Sequence, residues 1–296
     1  MNFEEVQNFV SDWQQNLCMR QRVGFLYGYY SSDPNYPDGV RVNVEAIYEP
    51  LQEGDINGFH ILSDPREEEH VMRISGRLGL ECVGWMFTSI NHDMFLSAKE
   101  IRMAADFQEQ YKKRHPEHGW GISKFVTAVL KPGSTQFEAK VECYMVSDQC
   151  QALQRDHVFA EDHDSMKKMA VRPKRNETDM LPMVMKENKP VTEFEPDFFI
   201  VSLAHGQPRD KRDYNILKNY DFPPANRLEG ITKSDVASFI TRHKMDKPNW
   251  RRFASFHFLV YLAQHLDLGT AETVADAVAN EQQLDKVLVE LISSIQ

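Results

Sequence analysis

The sequence predicts an α+β protein followed by an all-helical C-terminal region, and three observations carry that prediction. Up to Val201 the signals run helix, hairpin, helix, strand, helix, two strands, an order that groups the two element types instead of alternating them. From Ile231 onward every signal is helical. Between His157 and Pro196 the composition turns polar and basic, with Lys167-Lys168 and Arg172-Pro173-Lys174-Arg175, as a mobile or loosely packed insertion requires. The expected division is 1–204 for the first domain, with the insertion near 157–196, and 205–296 for a helical domain.

Phe3, Val6, Phe9, Val10 and Trp13 recur at helical spacing and give an amphipathic first helix. Arg22 to Tyr30 reads as a buried strand, with Gly24 and Gly28 where backbones approach closely. The turn signals Asp33-Pro34 and Pro37-Asp38-Gly39 lead into an alternating strand from Val40 to Tyr48, so the two strands form a hairpin. Asp64, Pro65 and Glu67 write the start of the next helix as cap, first position and capping-box partner, and Gly79 ends it. Glu81 to Ser89 is a strand, Ile90 to Leu96 a loop, and Ser97 opens a helix with Ile101, Ala104, Ala105 and Phe107 on its apolar face. Strands at Ile122–Leu130 and Phe137–Met145 flank a turn at Lys131-Pro132-Gly133-Ser134; a short helix starts at Asp148, and Phe198-Phe199-Ile200-Val201 is a closing strand. In the last region Thr232 with Asp235 caps one helix and Asn249 opens a strongly apolar one. Gly269-Thr270 ends that helix and caps the next, and Leu284 to Ile295 supplies the last.

At 296 residues, 42% hydrophobic and 11% aromatic, the chain can bury two cores and does not read as disordered. A net charge of −10 argues against nucleic acid as a partner, because phosphate contacts need a basic field. Cys18, Cys82, Cys143 and Cys150 lack Cys-x-x-Cys spacing, so free thiols in a reducing compartment are expected. The acidic opening Met1-Asn2-Phe3-Glu4-Glu5 is not a secretory signal, and the longest apolar stretch, near Phe253 to Ala263, is too short to insert in a membrane.

The most informative segment is Gly84-Trp85-Met86-Phe87-Thr88-Ser89, with Ser97 and Glu100 behind it. It resembles the MPN/JAMM zinc isopeptidases, whose pattern is Gly-Trp-x-His-Ser/Thr-His, seven residues, then Ser-x-x-Asp. Phe87 and Ser89 stand at the histidine positions, Thr88 keeps the intervening hydroxyl, and Glu100 replaces the aspartate. A catalytic zinc needs about three protein ligands and phenylalanine has no lone pair to give. The resemblance therefore implies a catalytically inactive MPN-like domain without metal or cofactor. The glutamate that activates water in the active enzymes is matched here to Tyr29, a phenol that is a poor base near neutrality at its ordinary pKa of about 10. Ser97 and Glu100 also have a plain structural reading as a capping box. His115, His118, His157 and His163 lie in loops without a third ligand, His257 and His265 sit two turns apart on a helix, and Cys150 has no assignable histidine partner.

A narrower resemblance rests on Phe25-Leu26-Tyr27-Gly28, Ala46-Ile47-Tyr48-Glu49-Pro50, Val83-Gly84-Trp85-Met86-Phe87-Thr88, Phe95-Leu96-Ser97, Ser123 to Val129, Val146 to Leu153 and Phe256-His257-Phe258-Leu259. These segments are similar to the nuclear protein localization protein four family. That resemblance implies a ubiquitin- and polyubiquitin-binding adaptor of the valosin-containing AAA ATPase, paired with the ubiquitin fusion degradation protein one. It implies work ahead of the proteasome, including endoplasmic-reticulum-associated degradation, in cytoplasm and nucleus, with only peripheral attachment to the endoplasmic reticulum or nuclear envelope through partners. The groove residues it implies are Tyr29, Phe87, Thr88, Ser89 and Phe95, then Ser123, Lys124, Phe125, Gln149 and Cys150. Family members normally carry a ubiquitin-like domain and zinc fingers that dock on the ATPase, and no ligand set for such fingers occurs here. Two other readings are a non-catalytic MPN scaffold subunit of a larger assembly, with no ubiquitin affinity, and a hydrolase using another site, which isopeptidase turnover would reveal.

Overall fold

The computed structural model describes all residues except 34, 92, 115–120, 134–137, 161–165, 207–215 and 296. In chain order the elements begin with α1 (Phe3–Gln15), β1 (Val23–Ser32), β2 (Val40–Tyr48), β3 (Gln52–Asp55), β4 (Gly58–Ile61), α2 (Pro65–Arg77) and β5 (Glu81–Thr88). Next come α3 (Ala98–Gln110), the short β6 (Lys113–Arg114) and β7 (Gly121–Ile122), β8 (Val126–Pro132), β9 (Ala139–Val146) and α4 (Asp148–Arg155). The short β10 (Met169–Ala170), β11 (Met185–Lys186), β12 (Lys189–Pro190) and β13 (Glu193–Phe194) lead to a 3₁₀ turn at Pro196–Phe199 and β14 (Ile200–Leu203). The chain then runs through α5 (Lys233–His243), α6 (Phe256–His265), α7 (Leu268–Ala279) and α8 (Lys286–Ser293). The expected α+β class holds.

Packing groups the chain into two compact units, Met1–Thr88 with Gly206–Gln296, and Ser89–His205. The boundaries at 204 and 205 drawn on the sequence follow element type, whereas these units follow contact. In the first unit β1 is the central strand, antiparallel to β2 on one side and β5 on the other, with Phe25 opposite Tyr48 and Val23 opposite Phe87. The start of α1 is stitched to β2, since the Asn2 N–H donates to the Val44 carbonyl and its side-chain amide to that of Glu45. The core joins Ala46 and Tyr48 of β2, Val71 and Ile74 of α2, and the apolar faces of α6 and α7. Phe222 lies edge to face on Phe239 and Phe258, which tilt against each other, each contributing about 1.5–3 kcal/mol by burial.

A polar knot lies in the same unit. Glu49, with 1% of its side chain exposed, accepts from Arg22 on one side and from Arg227 on the other. The Asn226 amide donates to the Glu49 carbonyl and to the Glu67 carboxylate. That last bond corrects the expected capping box on α2. Asp64 does cap the helix, accepting from the Arg66 and Glu67 N–H groups, but the Glu67 carboxylate turns inward to Tyr48 and Asn226 instead of back to the cap.

In the second unit β9 pairs antiparallel with β8 and β14. The fully buried Gln108 of α3 exchanges hydrogen bonds with both backbone groups of Val146, so its amide acts as a stub of strand. Within the polar segment expected to pack loosely, Met169, Val184 and Phe194 are buried, β10 pairs with β13, and Arg172 holds Asp179. With Val158, Phe159 and Ala170 also buried, these apolar residues pack a stretch that composition marks as loose. Phe198 and Phe199 form a 3₁₀ turn opened by Pro196 rather than a strand, because Phe199 packs into Phe159 and Phe194. Lys131 and Pro132, expected in a turn, complete β8. The helix expected from Asn249 is divided into a 3₁₀ turn and α6. The Asn249 amide is committed to both backbone groups of Leu284. Asp267, not Gly269-Thr270, caps α7.

Candidate functional site

The motif strand β5 ends with Phe87 and Thr88 fully covered. Phe87 is 0% exposed and packs on Trp85 at 4.8 Å between ring centroids and on Phe59 at 5.5 Å. The Thr88 hydroxyl donates to the Gln21 side chain at 2.8 Å and accepts from the Arg22 N–H at 2.8 Å. Tyr29 is half-buried on β1, packed against the first unit's core. The structure does not bring it to Phe87: Val23 is the partner of Phe87, and Tyr29 lies six residues further along β1, roughly 20 Å at strand rise. The side chain that meets the motif is Gln21, which sequence reasoning passed over. It sits two residues ahead of Val23 at the head of β1, and only the strand register reveals its place.

The remaining expected residues belong to the second unit. The Ser89 N–H donates to the Leu130 carbonyl at 2.8 Å, and its hydroxyl accepts from the Asn91 N–H at 3.3 Å, closing a local turn. Phe95 is 49% exposed, its ring edge-on to Tyr144 at 5.9 Å. Ser123 is buried, its hydroxyl accepting from the Phe125 N–H. Phe125 is buried too, stacked on Tyr111 at 4.5 Å. Lys124 between them is exposed. Gln149 is exposed in the first turn of α4, while Cys150 beside it is fully buried and burial pushes its thiol up to about 12. Ser89 is thus tied to the far end of β8, whereas Ser123 to Phe125 and Gln149-Cys150 flank the near end.

The capping box at Ser97 and Glu100 is formed in full, the Ser97 N–H donating to the Glu100 carboxylate at 2.7 Å and the Glu100 N–H to the Ser97 hydroxyl at 3.3 Å. Burial raises the Glu100 carboxyl above its ordinary value, against the bonds from Ser97 and the Lys131 and Lys99 charges. Both groups are occupied locally. Among the described residues no group of three or more His, Cys, Asp or Glu side chains is placed to hold a metal. His115, His118 and His163 lie outside the described residues. His257 pairs with Glu5 at 3.2 Å and His265 stacks on Tyr261 at 4.0 Å. No helix of the described residues is long and apolar enough to cross a membrane.

The surface chemistry that remains available is apolar and hydrogen-bonding, centred in the second unit on Phe95.

Comparison with known proteins places these features in a family. The model of the NPL4 family matches residues 22–294. A nuclear protein localization protein 4 homolog of Dictyostelium discoideum is 31% identical over 247 residues, covering 83% of this chain and 37% of the relative. The nuclear protein localization protein 4 of Yarrowia lipolytica is 28% identical, covering 98% of this chain and 56% of the relative. A Homo sapiens homolog is 38% identical over 173 residues, or 52% of this chain and 28% of the relative. The chain spans from about a quarter to about half the length of these relatives.

Proposed function

The chain belongs to the NPL4 family, and on that premise we propose that it is a polyubiquitin-binding adaptor subunit. In this reading it presents ubiquitinated clients to an AAA unfoldase, the valosin-containing protein, for proteasomal degradation, together with the ubiquitin fusion degradation protein one. It works without catalysis, in cytoplasm and nucleus, and reaches the endoplasmic reticulum through partners.

One observation supports this reading above the others: the contrast within the motif region. The groups standing where the isopeptidase frame has its metal ligands are spent on structure, Phe87 in the core, Ser89 in a turn and Glu100 in a cap. Phe95, between them in sequence, is half in solvent. An exposed aromatic on a bonded frame is the kind of anchor that protein recognition uses. Phe87 itself is not accessible to a partner, and Phe87→Arg would bury an unpaired charge, so that variant cannot separate binding from folding.

Labelled ubiquitin chains from monomer to tetramer, titrated with the chain and followed by fluorescence anisotropy, test the reading. Affinity that rises with chain length and falls in Phe95→Ala is the expected result. A folded protein that binds no chain of any length overturns it in favour of a scaffold role.

A further inference from the structure

We propose that Lys131 is a positioning residue, a buried clamp that holds Met94 and so presents Phe95 as a preformed anchor for an apolar side chain of the bound ubiquitin chain. The inference rests on the ubiquitin-binding reading above.

A lysine is almost never buried without a partner, and the Lys131 side chain, on β8, is only 9% exposed. Its ammonium donates to the Met94 carbonyl at 2.7 Å and lies 3.4 Å from the Glu142 carboxylate on β9. The loop residue just before Phe95 is thereby tied to the sheet by a charge-assisted bond, stronger than an ordinary amide contact. Glu142 also accepts from Lys140 at 2.5 Å and from the Tyr144 hydroxyl at 2.8 Å. Burial by itself raises this carboxyl, but those bonds and the Lys131 charge outweigh it and hold it down at about 2. Glu142 therefore keeps its charge well below the ordinary carboxylate range.

On the other side of Phe95 the chain is equally held. Leu96 is 1% exposed, Ser97 is bonded to Glu100, and the Ala98 N–H donates to the Met166 carbonyl at 3.1 Å. Tyr144, whose hydroxyl Glu142 holds, supplies the ring on which Phe95 leans. One carboxylate thus orients both the clamp under the loop and the platform beneath the anchor. An anchor fixed before binding loses less side-chain freedom on association, which raises affinity without a new contact.

The test combines binding with a local probe. A 4-fluorophenylalanine placed at position 95 reports the ring by fluorine NMR, and Lys131→Met removes the ammonium while keeping the stem. The expected result is a shifted or broadened resonance in Lys131→Met, restored in Lys131→Arg. Tetraubiquitin affinity should fall about 3- to 10-fold, and adding Lys131→Met to Phe95→Ala should cost nothing more. If Lys131→Met does not fold, Glu142→Gln, which keeps the shape and removes the charge, takes its place with the same expectation. An unmoved fluorine resonance in a folded variant overturns the clamp. Additive losses with Phe95→Ala overturn the link from clamp to anchor. Unaltered tetraubiquitin binding by Phe95→Ala, with the resonance still dependent on Lys131, would instead refute the Phe95 anchor while leaving the clamp in place.

Discussion

Replacing Glu49 with glutamine removes the more closely held of the two carboxylates, Glu49 and Asp12, that Arg22 and Arg227 share in the first unit, and the structure sets the size of the loss. Glu49 accepts from Arg22 at 3.0 and 2.5 Å and from Arg227 at 3.0 and 2.6 Å, with 7% and 19% of those arginine side chains exposed. Breaking a buried pair from one side costs about 3–5 kcal/mol, because the partner charge is left uncompensated. Asp12, 3.4 Å from Arg22 and 3.8 Å from Arg227, takes up part of that charge, so the lower end applies, about 3 kcal/mol. At about 2–4 °C per kcal/mol for a unit of this size, Tm should fall by roughly 10 °C. Thermal unfolding by circular dichroism measures it, and adding Arg227→Gln should recover part of the loss because the two sites are coupled. A fall below about 2 °C, or one abolished by high salt as for exposed pairs, would refute the argument that the knot is buried and shared.

Burial raises the Glu45 carboxyl from 4.5 to about 7, opposed by Lys218, the Ile216 N–H and the N-terminal ammonium. As pH rises through that window the unfolded chain releases its proton before the folded one, so the group's contribution falls by about 3 kcal/mol; Glu45→Gln should match the parent near pH 5 and exceed it at pH 8, and equal stability at both would exclude the shift. Ser97→Ala leaves the Glu100 N–H of α3 without its acceptor and should cost about 1 kcal/mol, read from the urea midpoint; an unmoved midpoint would mean the box contributes nothing. Burial pushes the thiols of Cys143 and Cys150 up to about 11 and about 12, so iodoacetamide at pH 8 should modify them only after unfolding. Native labelling of Cys150 as fast as the half-buried Cys18 would contradict its placement.

The local signals were legible wherever neighbours in sequence supply the partners. Asp64-Pro65 begins α2 and Ser97 with Glu100 begins α3 because the bonds involved span three residues or fewer. The β1–β2 hairpin was legible because its turn signals and the alternation from Val40 to Tyr48 are local, although its pairs span 8 to 23 residues. The β3–β4 hairpin went unread although Asn57-Gly58 marks its turn, since strands of four residues offer too few positions for alternation to show. Glu67 could not be assigned from its surroundings, as its partner Asn226 lies 159 residues away. At the candidate site the motif spacing located Phe87, Ser97 and Glu100 but could not tell an accessible phenylalanine from a core one. Gln21 and Lys131 were missed because their partners, Thr88 and Met94, are fixed by tertiary register and loop path.

The first unit is assembled from residues 1–88 and 206–296 around a single core, while 89–205 is continuous in sequence. On the ribosome these two units therefore mature in the reverse of their apparent order. The interrupting unit can fold as soon as it emerges, while the sheet and α2 that preceded it wait with Ala46, Val71 and Ile74 still facing water. They stay open until Phe256, Leu259 and Val274 arrive. A premature stop anywhere before α7 consequently removes no separable module; it strips one wall from the unit to which residues 1–88 belong.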